Sequence, residues 1–179
     1  MQVVLRSLAL FAACCSLAAA QARTPWPNAD FGSTEAELRS VLPGLERNTR
    51  PPLGPRGERG LWMLPDAQLA GLPFQATFYF KAGRLHRVEQ VHVGPAPACQ
   101  VSPAAGTSPT DVSAWLSTMR ERYGAETGAN DSLYGGMSRQ SAAWVDGDTD
   151  ITADWSAGSS GCTIRVAYKP RVLKDGSEL

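Results

Sequence analysis

Phe74-Gln75-Ala76-Thr77-Phe78-Tyr79-Phe80-Lys81-Ala82-Gly83-Arg84-Leu85 is the stretch that decides the fold. Phe74, Ala76, Phe78 and Phe80 alternate with Gln75, Thr77 and Tyr79. A period of two gives a strand one apolar face and one polar face. Ala82-Gly83 then predicts a tight turn into a second strand from Leu85 to Val93. Upstream, Leu61 to Leu64 and Gln68 to Ala70 read as strand pieces around Pro65, and Gly71-Leu72-Pro73 turns the chain. The expectation is an antiparallel meander with Phe74, Phe78 and Phe80 in its core.

Two helices flank this meander in the sequence. In Phe31-Gly32-Ser33-Thr34-Glu35-Ala36-Glu37-Leu38-Arg39-Ser40-Val41-Leu42-Pro43-Gly44, Thr34 and Glu37 have the spacing of a capping box. Leu38, Val41 and Leu42 share one face of the short helix this starts, and Pro43-Gly44 stops it. Beyond the meander, residues 94–107 form a Pro/Ala/Gly-rich connection. Ser108-Pro109-Thr110-Asp111 opens a second helix, with Pro at the first turn where its missing amide costs nothing. Val112, Trp115, Leu116, Met119 and Tyr123 make its apolar face, and Gly124 ends it. After a polar loop, Gln140 to Val145 and Thr149 to Trp155 flank Asp146-Gly147, a hairpin signal. Cys162, Ile164, Val166 and Tyr168 alternate along a last strand, and a loose polar tail follows from Lys169.

The order is helix then strands, twice. The predicted class is α+β: short helices packed on antiparallel sheet, in two similar helix-then-strands units. The boundaries are 1–22 for a signal peptide, 23–94 for the first unit and 95–179 for the second unit with its tail. The two units either share one sheet or pack as two lobes.

The run from Phe31 to Gly44 resembles the opening of small bacterial envelope modules, among them the repeats of β-lactamase inhibitor protein and the small lipoprotein of the outer-membrane barrel assembly machine. Phe78-Tyr79-Phe80-Lys81-Ala82-Gly83-Arg84-Leu85 is similar to the aromatic strand and Gly turn of such modules. The likeness covers roughly residues 31–93, and the tandem arrangement is nearer the inhibitor protein. Ser33 stands where Met is usual, and the Pro/Arg stretch at 46–60 has no counterpart. The resemblance implies a helix-on-sheet scaffold used for protein contacts and names no partner.

The N-terminus predicts export. Arg6 precedes an apolar run from Ser7 to Ala20, and Ala20-Gln21-Ala22 fits signal-peptidase cleavage before Arg23. A retained membrane anchor and a lipoprotein at Cys14, after Phe11-Ala12-Ala13, are the rival readings. Cleavage removes Cys14 and Cys15 and leaves Cys99 and Cys162, which an oxidising compartment would pair. Closing a loop of that length stabilises the fold by roughly 4 kcal/mol in the chain-entropy model. A pair of reactive thiols is the alternative, without CxxC spacing behind it.

Composition bounds the function classes. The chain has 179 residues, 43% of them hydrophobic and 19% charged, which excludes disorder throughout. Its net charge of 0 argues against a general nucleic-acid binder. His86 and His92 lie six apart, which on a regular strand is the same face with about 20 Å between them, too far for one metal. They read as exposed strand residues. Asp146, Asp148, Asp150 and Asp154 begin like a calcium loop, but Ile151 stands at the glycine position and Ala157 at the position of the bidentate Glu. Ser159-Ser160 lies outside a Gly-x-Ser-x-Gly elbow. Glu35 and Glu37 face apart on a helix and suit its N-terminal dipole. The reading therefore assigns no catalytic residue, no metal and no cofactor.

Residues 46–60 carry Arg47, Arg50, Arg56 and Arg59 among Pro51, Pro52 and Pro55, and read as a mobile loop. Arg47, Arg50, Arg56, Arg59 and the adjoining Trp62 are the candidate partner-binding residues, since aromatics beside Arg are typical of interface hot spots. A solvated loop, with Trp62 and Trp26 buried in the core, is the blander alternative. The leading expectation is a non-enzymatic periplasmic protein that binds another envelope protein as an inhibitor, immunity-type protein or assembly factor. A small envelope hydrolase is a second class, marked by a pocket joining an acid to His86 or His92. A carrier of lipid or small ligands is a third, marked by a large apolar cavity.

Overall fold

A computed structural model describes residues 24–93, 111–134, 137–158 and 161–172. Among these residues the chain forms two helices and one antiparallel sheet of eight strands, a sheet-dominated α+β fold. In chain order the elements are α1 (Glu35–Val41), β1 (Glu46–Arg47), β2 (Arg59–Leu69), β3 (Leu72–Lys81), β4 (Arg84–His92), α2 (Asp111–Tyr123), β5 (Gly128–Tyr134), β6 (Met137–Asp146), β7 (Thr149–Gly158) and β8 (Gly161–Pro170). The strands lie in the order β1-β2-β3-β4-β8-β7-β6-β5. Each helix thus precedes a four-stranded meander, and the meanders join through β4 and β8 in one continuous sheet.

The local signals explain the elements. At α1 the Thr34 hydroxyl accepts from the Glu37 amide at 3.2 Å, while the Glu37 carboxylate accepts from the Thr34 amide at 2.7 Å. Two free amides at the helix start are satisfied reciprocally. Those bonds hold the Glu37 carboxyl below its usual range, led by the Thr34 backbone bond. Pro65 does not split β2. The strand runs through it, with a register shift between Leu64 and Ala67. A bulge is where a strand tolerates a residue with no amide to give.

Two hairpins use the same turn. Ala70-Gly71 and Ala82-Gly83 both place two residues at positive φ, 50° and 82° in the first, 49° and 74° in the second. Double left-handed turns match the twist of the flanking strands, and they favour Asn or Gly over Ala at the first position. Ala82→Asn is therefore expected to raise stability by up to about 1 kcal/mol, read as a higher denaturation midpoint with unchanged slope.

The core is one cluster on a single face of the sheet. Phe74, Ala76, Phe78 and Phe80 of β3 are all buried on it. Val88 lies opposite both Phe78 and Tyr168, and Ile151 lies opposite both Tyr168 and Trp144. Leu38 of α1 and Val112, Trp115 and Met119 of α2 close over this face. Trp115 meets Trp155 edge-on at 6.2 Å, and Trp144 Nε1 donates to the Gly124 carbonyl at 3.1 Å.

Two local expectations are corrected, and a third is sharpened. The stretch 128–134, expected as polar loop, is the edge strand β5, paired with β6 from Gly128↔Ala143 to Tyr134↔Met137. The strand β8 continues to Pro170, and the Arg171 amide donates to the Asp148 carbonyl at 2.8 Å, so the last strand reaches past Lys169. The hairpin marked by Asp146-Gly147 closes at Asp146↔Thr149, with Gly147 and Asp148 as its turn. The leader 1–22, Cys99, Ser108-Pro109 and Ser159-Ser160 lie outside the described residues.

Candidate functional site

Because both helices pack on one face, the other face of the sheet carries the polar residues of the alternation. Its charges pair in three separate groups. Glu89 accepts from Arg87 at 2.8 Å and faces Arg165 at 3.1 Å. Arg139 lies 3.4 Å from Asp154, while Lys169 and Arg171 lie 3.8 and 3.9 Å from Asp150. Arg139 and Arg165 keep 68% and 54% of their side-chain surface exposed, so these pairs add little to stability. The aspartates that suggested a calcium loop thus lie on β6, its turn and β7, with Asp150 and Asp154 facing cations.

One end of this outer face is covered by the Pro/Arg segment. That segment, expected to be mobile, is tied down. Asn48 donates from its amide to the Leu61 carbonyl and from Nδ2 to the Gly60 carbonyl, at 2.9 and 2.7 Å. Gly60 donates to Pro52, Gly54 donates to Glu58, and Leu53 bridges Arg59. Proline blocks donation at its own nitrogen only, and its carbonyl still accepts. Two glycines allow the close fit: a Cβ on Gly60 would lie 2.7 Å from Thr77 Cγ2, and one on Gly54 would lie 2.6 Å from Glu58 Oε2.

The packing places Glu58 under the loop with only 2% of its surface exposed. Burial by itself pushes its carboxyl up. The amides of Glu58 and Arg56, with His86 and Arg87 nearby, outweigh that effect and hold the group below the usual carboxylate range. The Arg56 amide donates to Glu58 Oε2 at 2.8 Å. His86 Nδ1 stands 3.2 Å from Glu58 Oε1, out of line for a direct hydrogen bond.

A β-bulge brings His86 there. Tyr79 pairs with Arg87 and Phe80 with Leu85, so His86 is the extra residue. The extra residue resets the alternation. The expected common face for the histidines is corrected: His92 lies opposite Phe74 on the core face and packs edge-on to its ring at 5.6 Å. Burial pushes the His92 imidazole down. Nor is either histidine fully exposed, and the His86 side chain keeps 34% of its surface.

Pro55, Arg56, Glu58, His86, Arg87 and Lys169 line a cavity of about 210 Å³ at this end of the outer face. No family model, curated protein or solved structure matches the chain. Chemistry must therefore be argued from these groups alone. A carboxylate beside the Nδ1 of a histidine is the arrangement that fixes an imidazole's orientation. The lining residues include no serine, threonine or cysteine to serve as a nucleophile.

Of the five residues expected to bind a partner, Arg47 and Trp62 are in contact and the other three do not join them. Trp62 is buried, and its Nε1 donates to Glu35 Oε2 at 2.9 Å. Arg39 and Arg47 stack over its ring at 5.0 and 5.4 Å. Trp62 is thus a packing residue against α1, as the blander alternative had it, and Arg47 is its neighbour. Arg56 belongs to the outer-face cavity, and Arg50 and Arg59 are exposed. Sequence reasoning missed Glu58, Arg87 and Lys169. Nothing in the run Gly57-Glu58-Arg59 marks Glu58 as buried.

Proposed function

We propose that the chain is an exported, non-catalytic periplasmic module that binds another envelope protein through the outer face of its sheet. The observation that carries this reading is the one-sided placement of the helices, which among the described residues leaves the charged face of β8, β7 and β6 without a covering helix. An interface rich in Arg suits a partner with an acidic surface. Arg139, Arg165 and Arg171 are exposed cations of that face, with Arg56 at its loop end. An inhibitor, an immunity-type protein and an assembly factor all fit this reading.

The same proposal includes cleavage after Ala22, a Cys99–Cys162 disulfide and similarity of the two helix-then-strands units. Cys162 is not a free thiol, which supports the pairing. The matching order of α1 with β1–β4 and α2 with β5–β8 supports the similarity.

The test is affinity capture from envelope extract of the source cells, read by mass spectrometry. A stoichiometric protein partner is expected, lost when Arg139 and Arg165 are both changed to Glu. Absence of any protein partner after cross-linking overturns the reading. A second reading, a small hydrolase, is favoured by the Glu58–His86 apposition. It requires turnover of ester or amide substrates that disappears in His86→Ala and persists in His92→Ala.

A further inference from the structure

The cavity at the loop end of the outer face is built from donors. Arg87 Nε is buried and has no hydrogen-bond partner among the described residues. Arg56 makes no side-chain ion pair among them, and Lys169 holds Asp150 only at 3.8 Å. The wall carboxylate is already engaged: Glu58 accepts the Arg56 amide on Oε2 and faces His86 with Oε1. An incoming group therefore meets the Arg56 and Lys169 cations at the lining, with the wall carboxylate already engaged.

Fixed charge then sets what the cavity takes. Arg56, Arg87 and Lys169 are its cations. Glu58 in the wall, Glu89 on Arg87 and Asp150 beside Lys169 oppose them. Arg165 and Arg171 share Glu89 and Asp150, so the surroundings of the cavity keep a surplus of fixed positive charge. A volume of about 210 Å³ admits a short acid or the end of an acidic side chain and is too small for a nucleotide. The planar fork of an arginine matches a carboxylate with two parallel hydrogen bonds.

We propose that the cavity lined by Arg56, His86, Arg87 and Lys169 binds a carboxylate group, presented by a small free acid or by an acidic side chain of another protein. This site does not depend on the sheet face being a docking surface, so the two readings fail separately. Arg56 and Arg87 grip the carboxylate oxygens, Lys169 supplies charge from β8, and Glu58 faces His86.

The chain has only two histidines, on opposite faces of the sheet, so His92 is an internal reference. The purified full chain is titrated with acetate, with N-acetyl-aspartate methylamide, and with the neutral N-acetyl-asparagine methylamide, while the imidazole C–H resonances are followed by NMR. Acetate and the blocked aspartate are expected to shift His86 saturably and leave His92 in place, and the asparagine compound is expected to shift neither. Binding by acetate alone supports the site with a free acid as its source. Arg56→Gln, at an exposed side chain, should weaken binding by about ten-fold without altering thermal unfolding. Three results overturn the proposal: parallel drift of both histidines, an equal response to the asparagine compound, or unchanged acetate binding in Arg56→Gln. Tighter binding of inorganic phosphate than of acetate overturns the assignment to carboxylate.

Discussion

Phe78→Ala is expected to destabilise the protein by about 3–5 kcal/mol, the cost of a deeply buried aromatic replaced by a methyl group. Phe78 has no exposed surface and stands in β3 between Trp62 on β2 and Val88 on β4. Its ring also meets Trp26 of the N-terminal segment at 5.2 Å. Removing it opens a void beneath that segment, and three neighbours anchored on different strands or loops cannot all relax into it. The measurement is a urea titration followed by tryptophan fluorescence, which reports on Trp26 and Trp62 directly. Phe78→Leu keeps most of the volume and should lose about 1–2 kcal/mol, so the comparison stands even where the alanine variant does not fold. An alanine variant within about 1 kcal/mol of the parent would show that Phe78 is not central to the core.

The second large effect concerns acid. The folded Glu58 carboxyl sits below its ordinary range, held there against its own burial by amides, His86 and Arg87. A group whose folded pKa is depressed contributes stability above its unfolded value, about 4.3 for Glu, and loses that contribution as pH falls through the folded value. Stability should therefore decline in the window below about pH 4.3. Glu58→Gln is expected to lower stability at neutral pH by about 1.5–3 kcal/mol, the range for hydrogen bonds to a charged group. The same variant should show a flatter acid limb. Glu37, held low by its capping bonds, titrates in the same direction in both proteins, so the difference between the two curves isolates Glu58. Parallel curves for parent and variant would mean that Glu58 has the same affinity for protons folded and unfolded.

How much of this was legible in the sequence depends on whether the signal was local. The capping box at Thr34 and Glu37, the alternation of Phe74 to Phe80 and the Asp146-Gly147 turn each act within a few residues, and each marks its element. The edge strand β5 gave no such signal. Gly128-Ala129-Asn130-Asp131-Ser132-Leu133-Tyr134 is polar because an edge strand can stay solvated, and its partner β6 supplies the order. The cavity was hidden for a different reason. One extra residue in β4 turns His86 to the outer face, and periodicity counted along a single strand cannot register a bulge that only its neighbour defines. Glu58 in turn is buried where Gly54 and Tyr79 close together, a tertiary event inside a stretch whose composition reads as solvated. The partner-binding arginines were chosen by proximity in sequence. The sheet places Arg47 with α1 and Arg56 at the outer-face cavity.

The seam between the meanders has a consequence for how the chain reaches this state. β4 finishes its hydrogen bonding only with β8, from Val88↔Tyr168 to Val91↔Arg165. Residue 88 must therefore wait for residue 168. During synthesis the first meander emerges with β4 as an open edge carrying unpaired amides and carbonyls, and it keeps that edge until nearly the whole second half has followed. Pairings this far apart in sequence make folding slow, and an unprotected edge invites pairing between molecules. The same β8 offered by a neighbouring copy would satisfy β4 equally well, so the seam is where exchange of a strand between two chains would begin.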